Sequence, residues 1–267
     1  MRYRAVISYF GRNYVGWQRQ LNGLSVQEVL EKALEKTFGE PTSATASGRT
    51  DAGVHAEGQV VHFDAQTSIP TDKIPFAVNT HLPDDVSMLY CEPAPENFNA
   101  RFSAKRKTYC YKIYVSRHRR PMLEPTHEHI SVPVDIEEIR KACKVIEGEH
   151  DFKCFEASGS VIKNTVRTVY NIDVNVFPLT KVGNISASDC KNEQIDEKKA
   201  TDVEICISVT GNGFLYNMVR IIAGTLLYVG IGKLSVDDVE KIIESKDRKG
   251  AGKTLSAKGL HLINVQY

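Results

Sequence analysis

Apolar residues in this 267-residue chain switch between two spacings, and that switching constrains the fold more than any other feature. Val26, Val29, Leu30, Ala33, Leu34 and Phe38 recur at the three-to-four-residue spacing that lays one stripe along a helix. Residues 202–211, DVEICISVTG, alternate apolar with polar and so line one face of a strand. The same reading predicts strands at 3–10, 58–65, 86–94, 107–116, 165–177 and 259–267, and helices at 26–38, 134–150, 214–230 and 235–245. A shorter helix within 71–82 is expected to be interrupted by Pro75. Ser25, with Glu28 three residues on, reads as a capping box, and Gly39 and Pro41 close that helix. Segment 134–150 reads as an amphipathic helix, and 235–245 opens on a serine N-cap.

Each half mixes strands with one or two helices, so the expected class is α+β in two similar halves, with mainly antiparallel sheets. The pattern restarts near residue 100, which places the halves at 1–103 and 104–267. The segment 180–201, polar and rich in acids and lysine, reads as a surface loop or hairpin tip. A hydrophobic fraction of 42% is enough for a core and excludes a disordered chain. No apolar run reaches the eighteen or so residues that span a bilayer, and the N-terminus has no apolar signal segment. The six cysteines are scattered, with no CxxC pair and no His/Cys cluster at ligand spacing, so reduced thiols and no structural metal are expected in an intracellular protein.

Residues 47–56, SGRTDAGVHA, hold the chemistry-bearing acid. Asp51 lies two residues after Arg49, between Gly48 and Gly53, on a loop that leads directly into an apolar strand. An aspartate in a glycine-containing loop is most often a turn residue bonded to its own backbone. Here the neighbouring cation favours an ionised carboxylate, and the strand gives it a rigid support. With no second acid in a comparable motif, Asp51 is a candidate nucleophile or general base. The stretch from Asn97 to Leu123 has no acid but holds Arg101, Lys105, Arg106, Lys107, Lys112, Arg117, Arg119 and Arg120. Within it the strand KTYCYKIYVS puts Tyr109 and Tyr111 on one face and Tyr114 on the other. Aromatics beside cations suit unstacked bases and their phosphates; tyrosines filling an ordinary core strand are the plainer reading. Arg220, inside the apolar FLYNMVRIIAGTLL, either reaches solvent or pairs with a carboxylate, with Asp51 as one candidate. His55 and His62 lack ligand spacing and read as loop or core histidines.

GRTDAGVHA at 48–56 closely resembles the signature of the tRNA pseudouridine synthase A (TruA) family. Further matches follow in order: GWQRQ at 16–20, SVQEVLEKAL at 25–34, FNARFSAKRKTYCYKIY at 98–114, HDFKCF at 150–155, NTVRTVY at 164–170 and FLYNMVR at 214–220. The resemblance implies isomerisation of uridine to pseudouridine in the anticodon stem-loop of tRNA, around positions 38–40. It implies a homodimer in the cytoplasm, with two α/β halves around a basic cleft and no metal or cofactor. Residue by residue, it implies that Asp51 is the catalytic aspartate, that Tyr109 stacks on the target base, and that Arg49 and Arg220 stand close to the acid. Ser256, Ala257 and Lys258 depart from the Ala-Pro-Pro-like run that usually precedes Gly-Leu, while Gly259 and Leu260 are retained. An RNA-binding module explains the basic stretch but not the Asp51 loop; an RNA N-glycosidase uses the same acid but releases free uracil.

Overall fold

A computed structural model describes residues 1–159, 162–179 and 195–267. The elements run β1 (Arg2–Tyr9), α1 (Val26–Phe38), β2 (Thr45–Ala46), β3 (His55–Asp64), α2 (Ile74–Asn79), β4 (Val86–Pro93) and β5 (Arg106–Val115). They continue with β6 (Glu128–Ile130), α3 (Ile136–Ile146), β7 (Gly148–Asp151), β8 (Val166–Pro178), β9 (Val203–Gly211), α4 (Met218–Gly230), α5 (Val236–Ser245) and β10 (Leu260–Gln266). The class is mixed α+β, as the alternation of spacings predicts. The pairings β1–β3, β1–β4, β2–β3, β7–β8 and β8–β9 are antiparallel, while β10–β3 and β5–β6 are parallel. Most of the polar segment 180–201 lies outside the described residues.

The chain divides into two compact units, Met1–Thr108 with His261–Tyr267, and Tyr109–Leu260. The first therefore runs past residue 103 and takes back the C-terminal strand, because β10 lies parallel to β3 with His261 in register with His55. In this unit β1 sits between β3 and β4. Every second residue of β1 is buried: Tyr3, Ala5, Ile7 and Tyr9. Val26, Leu30, Ala33 and Leu34 are buried along one stripe of α1. Ser25 caps α1 by accepting the Glu28 amide at 3.2 Å, and Gly39, at φ +78°, ends it. The Glu28 carboxylate turns to Lys32 at 2.6 Å, so the expected box forms only its serine half. The complete reciprocal box is at Ser235 and Asp238, opening α5. Pro75 does not interrupt its helix. It occupies the first turn of α2, where a missing N–H leaves no bond unmade.

In the second unit α3 packs against both α4 and α5. β9 alternates buried and half-buried residues along its whole length. α4 is apolar on nearly every side and almost entirely buried, the expected environment for such a helix. It begins at Met218 rather than Phe214 because Asn217 adopts a left-handed backbone, φ +60°. Helix 134–150 similarly shortens to Ile136–Ile146, since Gly148 at φ +118° turns the chain into β7. Cys91, Cys110, Cys143, Cys154 and Cys206 are free thiols, as expected. Burial pushes the Cys91, Cys143 and Cys154 thiols up to about 12. No helix among the described residues is long and apolar enough to cross a membrane.

Candidate active site

The loop from Ser47 to Val54 is fixed from several directions within the first unit. The Asp51 carbonyl accepts the Val54 amide at 3.1 Å, closing a tight turn. Gly53, at φ +78°, fills the one position of that turn that needs a left-handed backbone. Its amide donates to the Tyr14 carbonyl at 3.3 Å. The Thr50 carbonyl accepts the Trp17 amide at 3.0 Å, and the Thr50 hydroxyl meets the buried Tyr9 hydroxyl at 2.8 Å. Burial raises Tyr9 to about 12, so it stays a neutral phenol at physiological pH. From the floor of β3, Gln59 receives the Ser47 hydroxyl at 2.7 Å and donates to the Gly48 carbonyl at 3.0 Å. From β5, Lys107 Nζ donates to the Ser47 carbonyl at 2.6 Å.

This contact set explains part of GWQRQ. Gly16 has φ +102°, and a methyl group there would stand 2.5 Å from Thr50 O and 3.1 Å from Asp51 C. Only a residue without Cβ lets the 14–17 segment lie directly on the acid's backbone. Asp51 itself is half-buried. Arg49 is exposed, and among the described residues its guanidinium makes no ion pair. His55 and His62 are core residues, as the sequence suggests. His55 Nδ1 accepts the Gly11 amide and His62 Nδ1 the Ala100 amide, each at 3.1 Å.

The remaining candidates belong to the second unit. Tyr109 is half-buried, with its ring edge-to-face against Phe214 at 5.3 Å between centroids. The other tyrosines of β5 are core residues, as the plainer reading holds. Tyr111 is fully buried and donates to the Ser256 carbonyl at 2.7 Å. Tyr114 stacks on His129 and donates to Glu124 at 2.6 Å. Arg220, in the first turn of α4, is half-buried. Its Nε donates to the Leu255 carbonyl at 2.7 Å and its Nη1 to the Asn217 side chain at 2.5 Å. The divergent segment 256–258 is thus tied to Arg220 through the preceding carbonyl and to β5 through Tyr111. Lys258 adds a bond to Glu124 at 2.7 Å. That ammonium first, and the Tyr114 hydroxyl second, hold the Glu124 carboxyl down at about 2.

The basic stretch divides between the two units. Arg101, Lys105 and Arg106 are exposed in the first unit, with the Arg101 guanidinium over the ring of Phe102, itself 80% exposed. Arg117 and Arg119 are exposed in the second. Lys107 is drawn inward to the loop. Sequence reasoning counted it among the cations and missed its partner. It likewise missed Gln59, Gly16 and Asn217, whose roles depend on segments distant in the chain.

Among the described residues no cluster of His, Cys, Asp and Glu could hold a metal ion. Residues 5–103 and 142–267 match the family described as tRNA pseudouridine synthase. The chain is 44% identical over 264 residues to tRNA pseudouridine synthase A of Ruminiclostridium cellulolyticum, covering 99% of this chain and 98% of that one. It is 44% identical to the enzyme of the same name from Thermoanaerobacter sp., covering 98% of each. For that of Bacillus subtilis the identity is 40%, covering 100% of this chain and 99% of that one. Among solved structures, a Cbf5-Nop10-Gar1 complex is similar over 84% of this chain and 45% of that chain, with 14% identity and a TM-score of 0.36.

Proposed function

This chain belongs to the tRNA pseudouridine synthase family and is an isomerase of tRNA uridine, and on that premise we propose that Asp51 is the carboxylate that carries the reaction, on uridines of the anticodon stem-loop around positions 38–40. The observation that supports it is the loop. Asp51 sits half-buried on a backbone whose carbonyls at Ser47, Gly48, Thr50 and Asp51 are all bonded within the first unit. A catalytic group must be held to within a fraction of an ångström, and such tethering does that.

The isomerisation breaks the N1–C1′ bond, turns the base and joins C5 to C1′, with the C5 proton passing to solvent and N1 taking a proton in its place. It therefore needs one charged carboxylate, a surface that holds the detached base, and cations near both. The uridine must first leave its stack to expose C1′. Tyr109 offers a ring braced edge-on by Phe214 for the base to lie against. By resemblance to the family, Arg49 and Arg220 are the arginines that supply positive charge to the carboxylate and the nearby phosphates; within its own unit Arg220 is oriented by Leu255 and Asn217. A cytoplasmic homodimer acting without metal or cofactor completes the proposal, by resemblance to the family.

The test is tritium release from tRNA labelled at uridine C5. Wild type releases tritium. Asp51→Asn, which keeps the shape and loses the charge, releases none while still binding tRNA. Wild-type release by Asp51→Asn refutes the assignment. Free uracil among the products refutes the isomerase chemistry in favour of a glycosidase, and mapping of the modified positions checks the stem-loop site.

A further inference from the structure

We infer that Lys107 is a positioning residue for catalysis, which acts through the Ser47 carbonyl to hold the Asp51 loop in its reactive place. The inference rests on the assignment of Asp51 above.

Lys107 is the second residue of β5, and its stem runs inward rather than to solvent. Its ammonium has one hydrogen bond, to Ser47 O at 2.6 Å, and no carboxylate partner among the described residues. A methyl group on Gly48 would lie 2.9 Å from Nζ, so glycine leaves the amine room against the loop. Burial, and then repulsion from Arg101, bring the ammonium down to about 8. A buried charge without a counter-charge is unfavourable. Methionine or leucine would fill the same space without that penalty. What the amine alone supplies is a donor for the first carbonyl of the loop.

That carbonyl is the upstream end of the tether. Gln59 holds Gly48, Trp17 holds Thr50 and Val54 holds Asp51, each through a carbonyl. Without Lys107, Ser47 O has lost its donor; the Ser47 amide still holds Val60 O at 2.8 Å and its hydroxyl Gln59 at 2.7 Å, so what loosens is the peptide that leads from Ser47 into Gly48 and Arg49. Lysine keeps N–H donors whether charged or neutral, so the bond survives titration of the amine. A positioning role therefore predicts activity that does not follow the charge of Lys107.

The experiment measures single-turnover tritium release and tRNA affinity for wild type, Lys107→Met, Lys107→Arg and Asp51→Asn. Lys107→Met is expected to lose about 10–100-fold in rate, the scale of an ångström-sized displacement of a catalytic group. Its affinity for tRNA stays within about twofold, because the loop and not the RNA has lost a partner. Lys107→Arg, which retains a donor, restores most of the rate. If Lys107→Met is insoluble, Lys107→Gln, too short to reach the carbonyl, takes its place. A wild-type rate in Lys107→Met with Asp51→Asn inactive overturns this inference and leaves the Asp51 assignment standing. Lost affinity at unchanged rate overturns it in favour of a phosphate contact. A rate inflection near pH 8 in wild type that is absent in Lys107→Arg overturns it in favour of a lysine that exchanges protons with the substrate. Full activity in Asp51→Asn removes the acid that the tether is said to place, and overturns both.

Discussion

Gly16→Ala separates the demands of the loop from those of an ordinary left-handed glycine. At φ +102° an L-residue loses roughly 1–2 kcal/mol against glycine. The new methyl group would also stand 2.5 Å from Thr50 O, 3.1 Å from Asp51 C and 3.2 Å from Ala52 N. All three are backbone atoms of a tethered loop and cannot rotate aside. Overpacking of that kind adds about 1–3 kcal/mol. The total is roughly 2–5 kcal/mol, which lowers the thermal midpoint by about 5–15 °C at the sensitivity of a chain this size. Gly39→Ala is the control. It also sits at positive φ, +78°, but a methyl group there meets nothing within 4 Å. It should lose only the backbone part, about 1–2 kcal/mol, and leave turnover intact. Calorimetry gives the midpoints. Tritium release gives the rates, where Gly16→Ala should be about 10–100-fold slower because relief of the clash moves Asp51. Equal midpoints for the two variants, with wild-type turnover in Gly16→Ala, would refute the reasoning.

Two further expectations concern charge. The folded Glu124 carboxyl is held at about 2, below its ordinary 4.5, by Lys258 first and Tyr114 second; its contribution to stability is full above pH 4.5 and is lost as the pH falls toward 2. Lys258→Met should therefore lower the thermal midpoint at pH 7 and flatten its decline between pH 5 and pH 2, and parallel curves for variant and wild type would refute the pairing. Binding of tRNA should weaken as salt rises, and Arg101→Ala or Arg117→Ala should each reduce the logarithmic salt slope by about one, as measured by filter binding across a salt series.

Much of the fold was legible because its signals are local. Ser25, Gly39 and the stripe between them define α1 from adjacent residues, and the alternation in 203–211 defines β9. Errors arose where backbone conformation decides. Asn217 and Gly148 enter the left-handed region, and no apolar spacing reports that. The short strands β2, β6 and β7 have too few residues to show a period. In the site, Asp51 was legible because glycine, arginine and acid crowd one loop. Its supports were not, because they come from 17, 59 and 107, and a hydrogen bond to a carbonyl leaves no mark on sequence spacing. Tyr111 and Tyr109 looked alike on one strand face, yet Gly259 seals the first beneath the chain, with a methyl group there falling 2.7 Å from the ring.

The return of β10 to β3 sets the order in which the enzyme can come into being. The strand that bears the Asp51 loop receives its neighbour, with His261 against His55 and Ile263 O within 2.3 Å of where a methyl group on Gly58 would lie, only from residues that follow the entire second unit. At a synthesis rate of about 5–20 residues per second, the emerging loop waits roughly ten to forty seconds for that strand. During the interval β3 has an open edge, and a nascent chain stalled anywhere before residue 261 carries the acid on an unfinished scaffold.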